Sequence, residues 1–260
     1  MSVLNEILAE TRSQVDAHIK RCPESELWKQ IADLPPTRDF LGALLRAEPP
    51  ALIAEIKKAS PSRGVLREDF DPVEIARIYE ENGAHCISVL TDKPHFQGRM
   101  QYLREVRKVT TLPLLRKDFI IHRWQVLESR AAGADAILLI VAALREGEVR
   151  ELVEVAHEVG LACLIEVHTA AELEEALRSS AKIIGINNRD LHVFRTHLRV
   201  TLELAPKVPS DRVIVSESGI STHADLEKLR AVGVRAVLIG EAFMRAQDIG
   251  AKVREILGKA

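Results

Sequence analysis

The chain has 260 residues, of which 47% are hydrophobic and 28% are charged, and its formal net charge at pH 7 is −2. A chain of this length and apolar content can bury a substantial core, which excludes intrinsic disorder. The near balance of 36 basic and 38 acidic residues excludes the broad positive surface that nonspecific nucleic-acid binding requires. We therefore expect no nucleic-acid partner, and an anionic ligand has to be small and held locally.

The cysteines and the N-terminus indicate the cellular compartment. Cys22, Cys86 and Cys163 are odd in number and lack C-x-x-C spacing, so they predict neither a disulfide framework nor a thiolate metal site. The N-terminus lacks a basic region followed by an apolar one, and no apolar run approaches the ~20 residues of a membrane span. We expect a cytoplasmic protein that is neither exported nor inserted in a membrane.

Short apolar runs rich in β-branched residues alternate with amphipathic segments from residue 51 onward. Continuous runs of this kind are typical of parallel strands that are covered on both faces. Eight such runs are present: residues 51–56, 85–90, 112–115, 134–141, 161–167, 182–186, 212–215 and 234–239. The intervening segments carry helix signals, such as an N-cap at Asp71, a proline at Pro72, a glutamate at Glu74 and a terminal glycine at Gly83.

Eight strand–helix units predict an α/β fold, the (β/α)8 TIM barrel, whose typical size is about 250 residues. A doubly wound sheet is the alternative, because both folds are built from right-handed βαβ units. No G-x-G-x-x-G sequence follows the first strand, which weakens the dinucleotide-binding version of that alternative.

Residues 1–50 precede the first strand and carry two apolar stripes at helical spacing. Prolines at 35–36 and 49–50 break the segment. We expect an N-terminal helical extension packed on the barrel, so that residues 1–260 form a single domain. The stripes consist of Leu4, Ile7, Leu8, Thr11, Val15 and Ile19, followed by Phe40, Leu41, Leu44 and Leu45.

The first predicted strand ends with an acid and an amine two residues apart, Glu55 and Lys57. Side chains two apart on a strand share a face, so these two charges point the same way. Since burying a lone charge is costly, opposite charges at the end of an apolar strand indicate either a structural salt bridge or a functional site.

Polar side chains recur at the ends of other predicted strands. In a TIM barrel the active site lies at the C-terminal ends of the strands. Counted back by twos, Lys117 shares a face with Leu115, and Glu166 with Leu164. Acids and amines that desolvate one another are a means of tuning proton donors and acceptors, so this rim predicts acid–base chemistry. The rim residues are Glu55, Lys57, Lys117, Glu166, Asn187 and Glu217.

The last two predicted strands are followed by Ser218 and Gly219 and by Gly240 and Glu241. Glycines at a helix entry expose backbone N–H groups that suit a phosphate, and TIM barrels often bind a phosphate at this position. Ordinary turn glycines are the alternative. The pattern favours a phosphorylated substrate.

Metal and nucleophile sites are not predicted. The nine histidines are scattered without H-x-x-x-H spacing, and Ser60 and Ser62 do not stand in a G-x-S-x-G sequence. We interpret His168 and His192 as surface loop residues and Cys86 as a core residue.

Seven motifs in their order along the chain resemble the indole-3-glycerol phosphate synthase family of tryptophan biosynthesis. The similarity spans essentially the whole chain and includes the N-terminal extension; Ser216 stands where the family often has alanine. The motifs are I-A-E-I-K-K-A-S-P-S at 53–62, L-T-D at 90–92 with F-Q-G at 96–98, L-R-K-D-F-I at 115–120, L-I-E-V at 164–167, G-I-N-N-R-D-L at 185–191, S-E-S-G-I at 216–220 and L-I-G-E at 238–241.

The resemblance implies ring closure of 1-(2-carboxyphenylamino)-1-deoxyribulose 5-phosphate with loss of carbon dioxide and water, and without a cofactor. Lys117 is then the general acid that protonates the ribulose carbonyl oxygen. Dehydration then needs an acid for the departing hydroxyl and a base for the ring nitrogen proton. The candidates are Glu166, Lys57 and Glu55; the resemblance favours Glu166 as a base, and the division of roles between Lys57 and Glu166 stays open.

The same resemblance implies the binding roles. Asn187 hydrogen-bonds substrate hydroxyls, Glu217 lies close to the ring, and residues 60–64 suit a mobile lid. Apolar walls for the aromatic ring come from Phe96, Phe119 and Leu138. The carboxylate and phosphate ends are bound by Ser60, Lys57 and Arg189, and backbone groups of Ser218, Gly219, Gly240 and Glu241 frame the phosphate.

Three expectations about function follow. The partner is a small phosphorylated molecule, the protein is a monomer or a weak homo-oligomer, and the N-terminal extension walls the mouth of the barrel, where it excludes water from a long substrate. Two other activities stay open: a Schiff-base aldolase that uses Lys117, and a noncatalytic barrel that binds a phosphorylated metabolite.

Overall fold

The computed structural model describes residues 3–189 and 196–259. Eight parallel strands form a closed barrel, in which the first strand pairs with the last, and a separate two-stranded hairpin lies in the loop after the first strand. The predicted TIM barrel is confirmed. The strands are β1 (Ala51–Ile56), β2 (Ala59–Ser60), β3 (Gly64–Val65), β4 (Cys86–Leu90), β5 (Leu114–Lys117), β6 (Ala136–Ile140), β7 (Ala162–Val167), β8 (Ile183–Asn187), β9 (Val213–Glu217) and β10 (Ala236–Ile239).

Helices precede the barrel and alternate with its strands. None of the helices within the described ranges is long and apolar enough to cross a membrane. The helices are α1 (Val3–Arg21), α2 (Glu24–Ala32), α3 (Phe40–Arg46), α4 (Pro72–Glu81), α5 (Met100–Val109), α6 (Arg123–Ala131), α7 (Glu148–Glu158), α8 (Ala170–Leu177), α9 (Arg199–Leu204), α10 (His223–Ala231), α11 (Glu241–Met244) and α12 (Ile249–Leu257).

Alternation along the strands divides the core into two parts. In β1, Ile53 packs inside the barrel with Leu115, Leu138 and Leu164 of other strands. The neighbouring residue Leu52 faces outward and packs against the helices. Since both faces are apolar, each strand is a continuous apolar run, and fully burying each leucine or isoleucine contributes about 1.5–3 kcal/mol.

Two strands extend two residues beyond the predicted apolar runs, so Lys117 lies on β5 and Glu217 on β9. Polar side chains interrupt the apolar run, but the backbone continues the ladder: Lys117 pairs with Leu90, and Glu217 pairs with Asn187. These two rim side chains are therefore held by strand geometry.

The predicted start of α4 is confirmed. The side chain of Asp71 accepts hydrogen bonds from the backbone N–H groups of Val73 at 2.9 Å and Glu74 at 3.2 Å, and Pro72 occupies the first helical position. After the helix, Gly83 has a φ of 97°, a left-handed conformation that turns the chain towards β4.

The N-terminal helices contact both ends of the barrel. Helix α1 buries Ile7, Leu8, Thr11 and Val15 of the predicted stripe. Helix α3 buries Phe40 and Leu44, which join the core inside the barrel at the bottom, beside Ala51 and Cys86. The prediction for α3 is wrong at Leu45, which is 51% exposed. No helix is predicted at α2, which buries only Leu27.

A buried acid at the bottom of the barrel ties the segment between α2 and α3 to the strands. The carboxylate of Asp135 accepts hydrogen bonds from the backbone N–H of Arg38 at 2.6 Å, the guanidinium of Arg107 at 2.6 Å and the backbone N–H of Leu114 at 2.8 Å. Asp135 is 1% exposed. These three donors compensate the cost of burying its charge.

Candidate active site

A cavity of about 910 Å³ opens at the C-terminal ends of the barrel strands. This volume lies within the range of small-molecule binding sites. Every predicted site residue except Glu217 lines it, namely Glu55, Lys57, Ser60, Phe96, Lys117, Phe119, Leu138, Glu166, Asn187, Arg189, Ser218, Gly219, Gly240 and Glu241. Residues that are scattered along the chain therefore share one cavity.

Lys117 lies at the centre of the charged rim, at the end of β5. Its Nζ is 3.3 Å from Oε2 of Glu166 and contacts Oε2 of Glu217 even more closely. Burial alone would lower the pKa of Lys117, but the charges of Glu217 and Glu166 outweigh burial and raise it. Lys117 therefore remains an ammonium at neutral pH and presents N–H donors to the cavity.

The two carboxyl groups that contact Lys117 have pKa values that are shifted in opposite directions. Burial, and the charge of Glu166, raise the pKa of Glu217 to about 7, although Lys117 opposes this shift. Burial would also raise the pKa of Glu166, but Lys117 and His168 outweigh it and hold that pKa below its usual value. Opposed pKa values in neighbouring carboxyl groups separate acid from base roles. Glu166 is ionised at neutral pH, whereas Glu217 retains a proton for much of the time.

Glu217 lies below the cavity surface and is 1% exposed. It contacts Lys117 and is not among the residues that line the cavity, and its position close to the substrate ring stays a prediction. Its Oε1 has no hydrogen-bond partner among the described residues. Glu217 is buried because β9 continues to this residue, which keeps its side chain inside the barrel.

Glu55 and Lys57 form a salt bridge inside the cavity, with 2.6 Å between Oε2 and Nζ. Burial would raise the pKa of Glu55, but Lys57 and Lys117 outweigh it and lower it. The salt bridge of the sequence interpretation is therefore confirmed; the pair also lines the cavity, and its functional role stays a prediction.

Two interior glycines make room for these carboxylates. A Cβ atom on Gly240 would lie 2.4 Å from Oε2 of Glu55, and a Cβ atom on Gly185 would lie 2.3 Å from Oε1 of Glu217. Both distances are shorter than real contacts allow. Gly240 is thus required by the packing of Glu55, a reason that is separate from the phosphate contact predicted for it.

The backbone after β9 turns sharply at Ser218 and Gly219, whose φ values are 66° and 75°. Both residues line the cavity, as do Gly240 and Glu241 at the start of α11. The two strand ends thus meet at one side of the site, which is the position where TIM barrels often hold a phosphate.

Cationic side chains gather beside this turn. Arg189 donates to Oγ of Ser62 at 2.8 Å and to Oε2 of Glu241 at 2.9 Å, and Nε of Arg63 lies 3.4 Å from Oε1 of the same Glu241. Arg245 also lines the cavity and pairs with Glu241 at 3.7 Å. Three guanidinium groups around one carboxylate make this end electropositive, which suits an anionic ligand.

The loop predicted as a lid is the hairpin of β2 and β3, in which Ala59 pairs with Val65 and Ser60 with Gly64. The contact of Arg189 with Ser62 connects the tip of this hairpin to the loop after β8. Oγ of Ser60 is buried and lacks a hydrogen-bond partner within the described ranges, although Ser60 lines the cavity. This hydroxyl is therefore available to a ligand.

The opposite wall of the cavity is apolar. The ring centroids of Phe96 and Phe119 are 6.3 Å apart, and Leu138 lies in the same wall. Leu4 and Ile7 of α1 extend it. The mouth position predicted for the N-terminal extension therefore holds for α1, but not for α3, which closes the bottom of the barrel.

Several lining residues are absent from the predicted set. Ser62 and Arg63 are adjacent to predicted residues, and their place in the hairpin could have indicated them. Asp92 lies two residues after β4 and, like the predicted rim residues, stands near a strand end. Arg245 follows α11, and no local sequence signal marks it. All four line the cavity.

The interpretation of His168 as a surface residue is wrong. Its side chain is 11% exposed and lies between two carboxylates, those of Glu166 and Glu172. Its position two residues after Glu166, on the same face, is the signal that could have revealed this contact. His192 lies outside the described residues. In residues 3–189 and 196–259, no group of three or more His, Cys, Asp or Glu side chains could hold a metal ion.

A closed (β/α)8 barrel with acids, amines and an electropositive end at its C-terminal rim is the architecture of a barrel enzyme that acts on a phosphorylated small molecule. Comparison with solved structures agrees on the fold. A 3-hexulose-6-phosphate synthase from Salmonella typhimurium superposes with a TM-score of 0.64 at 13% identity, covering 79% of this chain and 96% of that one. A mutant tryptophan synthase alpha-subunit from Pyrococcus furiosus gives 0.60 at 16% identity, covering 80% and 98%. At these identities the similarity shows the fold alone.

Sequence comparison identifies the family. The indole-3-glycerol phosphate synthase family profile matches residues 4–256. Indole-3-glycerol phosphate synthase of Dehalococcoides mccartyi strain CBDB1 is 48% identical over 258 residues, which cover 98% of this chain and 100% of that protein. The protein of the same name in Burkholderia vietnamiensis is 51% identical over 252 residues and covers 96% of each chain. The chain therefore belongs to the indole-3-glycerol phosphate synthase family, and it is a carboxy-lyase of tryptophan biosynthesis.

Proposed function

We propose that the rim around Lys117 closes the indole ring of 1-(2-carboxyphenylamino)-1-deoxyribulose 5-phosphate, with Lys117 as general acid and Glu166 as base. The observation that supports this assignment is the placement of the Lys117 ammonium between two carboxylates whose pKa values are shifted in opposite directions. A firmly protonated donor and an ionised acceptor then stand side by side in one cavity.

The first step forms a carbon–carbon bond. The aromatic carbon that bears the carboxylate attacks the ribulose carbonyl carbon, and negative charge develops on the carbonyl oxygen. Lys117 donates a hydrogen bond and then a proton to this oxygen, which becomes a hydroxyl. Because Lys117 is only 15% exposed, water screens this interaction weakly.

The second and third steps restore the aromatic ring and form the indole double bond. Carbon dioxide leaves, and the electron pair of the broken bond returns to the six-membered ring. The hydroxyl then departs as water after protonation, while a base removes a proton from the methylene carbon next to the nitrogen. The sequence interpretation assigns the nitrogen proton to this base, but the indole nitrogen keeps its hydrogen and the new double bond requires loss of the methylene proton. Glu166 is ionised and lines the cavity, so it is the proposed base, and the Glu55–Lys57 pair supplies the remaining donor and acceptor.

The substrate orientation follows from the polarity of the cavity. The aromatic ring lies against Phe96, Phe119 and Leu138, and the phosphate binds backbone groups at Ser218–Gly219 and Gly240–Glu241. The carboxylate and phosphate ends are bound by Lys57, Ser60 and Arg189, while Asn187 contacts the substrate hydroxyls. Glu217 contacts Lys117 and tunes its acidity.

The Schiff-base aldolase is disfavoured by the same geometry. A lysine nucleophile requires a free amine, but two carboxylates stabilise the charged form of Lys117. Borohydride added in the presence of the substrate should therefore leave Lys117 unmodified. Trapping of substrate on Lys117 would favour the aldolase.

We also propose a cytoplasmic location, an absence of cofactors and a monomeric or weakly associated state, with the extension 1–50 as part of a single domain. The decisive experiment on function incubates the purified chain with the anilino-deoxyribulose phosphate and follows indole absorbance or fluorescence. Stoichiometric release of carbon dioxide with indole formation supports the proposal. Tight binding of the substrate without turnover would indicate a noncatalytic barrel.

A further inference from the structure

His168 connects the proposed base to the start of a helix. Its Nε2 lies 3.4 Å from Oε1 of Glu166, and its Nδ1 lies 3.0 Å from Oε2 of Glu172. The contact with Glu166 is an ion pair without good hydrogen-bond geometry. The contact with Glu172 has the geometry of a hydrogen bond. The imidazole does not line the cavity, so it acts on Glu166 from behind.

The imidazole is fixed by the cap of α8. Thr169 caps this helix by accepting a hydrogen bond from the backbone N–H of Glu172 at 3.2 Å. The carboxylate of Glu172 returns to accept the backbone N–H of His168 at 2.8 Å, in addition to its ring nitrogen. This capping arrangement therefore fixes Nδ1 of the imidazole and leaves Nε2 facing Glu166.

Both ring nitrogens face carboxylates, and this decides the charge of the ring. A neutral imidazole has one N–H and one lone pair, so one of its two carboxylate contacts would be repulsive. Only the imidazolium, with N–H groups on both nitrogens, makes both contacts attractive. In agreement with this geometry, the two carboxylates outweigh burial and raise the pKa of His168 to about 10.

We propose that His168 is a positioning residue: a permanent positive charge behind Glu166, oriented by Glu172, that keeps Glu166 ionised and fixes its carboxylate for proton abstraction. This inference rests on the base role proposed for Glu166. Charged groups face Glu166 from three elements, namely Lys117 of β5, His168 after β7 and, across Lys117, Glu217 of β9. The polar side chain of Asn187 faces it from β8.

Lys117 and His168 have different roles, which explains why both cations are needed. Lys117 has to give up a proton during the reaction, and its charge then no longer stabilises Glu166. His168 lies outside the cavity lining and does not take part in proton transfer. It therefore keeps Glu166 ionised until the step in which Glu166 acts as base and accepts the proton.

The first test replaces His168 with asparagine and records the pH profile of kcat/KM. An opposite charge at this distance typically lowers a carboxyl pKa by about 1–3 units, so the acid limb should move upward by about one unit or more. KM at the pH optimum should change less than kcat. The Glu172→Gln variant, which keeps an amide oxygen but removes the charge that holds the imidazolium, should shift the limb in the same direction by less.

The control is His157→Asn, which removes an exposed histidine outside the cavity and whose profile should match that of the parent. A purely structural role for His168 would lower melting temperature and kcat without moving the acid limb, and that outcome would overturn the proposal. If His168→Asn fails to fold, Glu172→Gln still tests the proposal, because this variant leaves the imidazole in place.

A second readout does not depend on activity. Nitrogen NMR of the histidine rings should show His168 protonated on both nitrogens at pH 8, and its pKa should fall in Glu166→Gln while staying above the value of a free histidine. If the chain lacked synthase activity, this titration would still test the contact. A neutral His168 ring at pH 7 in the parent protein would refute the inference.

Discussion

The barrel buries a cluster of charges at each end, and the two clusters differ in how completely their charges are paired. At the bottom, Asp135 is surrounded by the guanidinium of Arg107 and two backbone N–H groups. At the rim, Lys117 shares two carboxylates, and Oε1 of Glu217 lacks a hydrogen bond among the described residues. Complete pairing compensates the cost of burying a charge, and breaking it destabilises the fold, whereas an incompletely paired charge remains available for chemistry.

The comparison predicts opposite consequences of substitution at the two ends. Removing a rim charge should lower turnover more than stability, because the rim is arranged around groups that exchange protons. Removing a bottom charge should lower stability more than turnover. The predictions below are ordered from the largest expected effect to the smallest.

Lys117→Ala should lower kcat by about 10²-fold or more, the usual scale for losing a proton-transfer group, with a smaller change in KM. Steady-state kinetics by indole fluorescence measures this effect. Lys182→Ala, which removes a half-exposed lysine paired with Asp211, is the matched control. Near-normal turnover in Lys117→Ala would show that another group protonates the carbonyl oxygen.

Asp135→Asn should lower the free energy of unfolding by about 3 kcal/mol, because Arg107 then loses its buried partner. Denaturant unfolding measures the loss, and kcat at a temperature where the variant is folded should be retained. Asp211→Asn, at an exposed ion pair, should leave stability unchanged. Equal stability of the two variants would contradict the contrast between the two clusters.

A chain that lacks residues 1–21 should fold and show a KM raised about tenfold, because the apolar wall formed by Leu4 and Ile7 contributes about 1.5–3 kcal/mol per buried side chain at most. A chain that lacks residues 1–46 also loses α3 and the backbone N–H of Arg38, so it should in addition melt at a lower temperature. If deletion of residues 1–21 left KM unchanged, α1 would have only a structural role.

Glu217 should give the smallest effect, a few-fold dependence of kcat on pH. Its pKa is raised to about 7, so it loses a proton as the pH rises through neutrality. The new negative charge stabilises the Lys117 ammonium and makes it a weaker acid, so kcat should fall as the pH rises through about 7. In Glu217→Gln this fall should disappear. Its persistence would assign the ionisation to another group.

Much of the rim was predictable because its signals are local. Lys117, Glu166 and Asn187 stand at the ends of apolar runs, and the two-residue period of a strand fixes which face they share. The resemblance to a family then assigned roles that the residues alone left open. The burial of Glu217 below the cavity surface could not be predicted, because the apolar run ends before the strand does, and only the hydrogen-bonded ladder shows how far β9 continues.

The bottom cluster could not be predicted, because its partners are distant in sequence. Arg38 and Asp135 are separated by 97 positions, and neither stands in a recognisable motif. The contact of His168 with Glu166 was missed for a different reason: a histidine after a strand is exposed unless a later residue orients it, and Glu172 does so from within the next helix. Such contacts depend on the exact path of a loop.

The closure of the barrel by β1 and β10 has a consequence for synthesis on the ribosome. The N-terminal extension and β1 emerge first, but β1 pairs with β10 near the end of the chain, and the hydroxyl of Thr37 bonds the carbonyl oxygen of Gly160, 123 positions later. Contacts between such distant segments form late because closing the intervening loop costs entropy. Helix α1 packs against α6, so its apolar stripe stays exposed in the nascent chain at least until residues 123–131 have been made. During that interval the stripe is a surface to which a chaperone for apolar helices can bind.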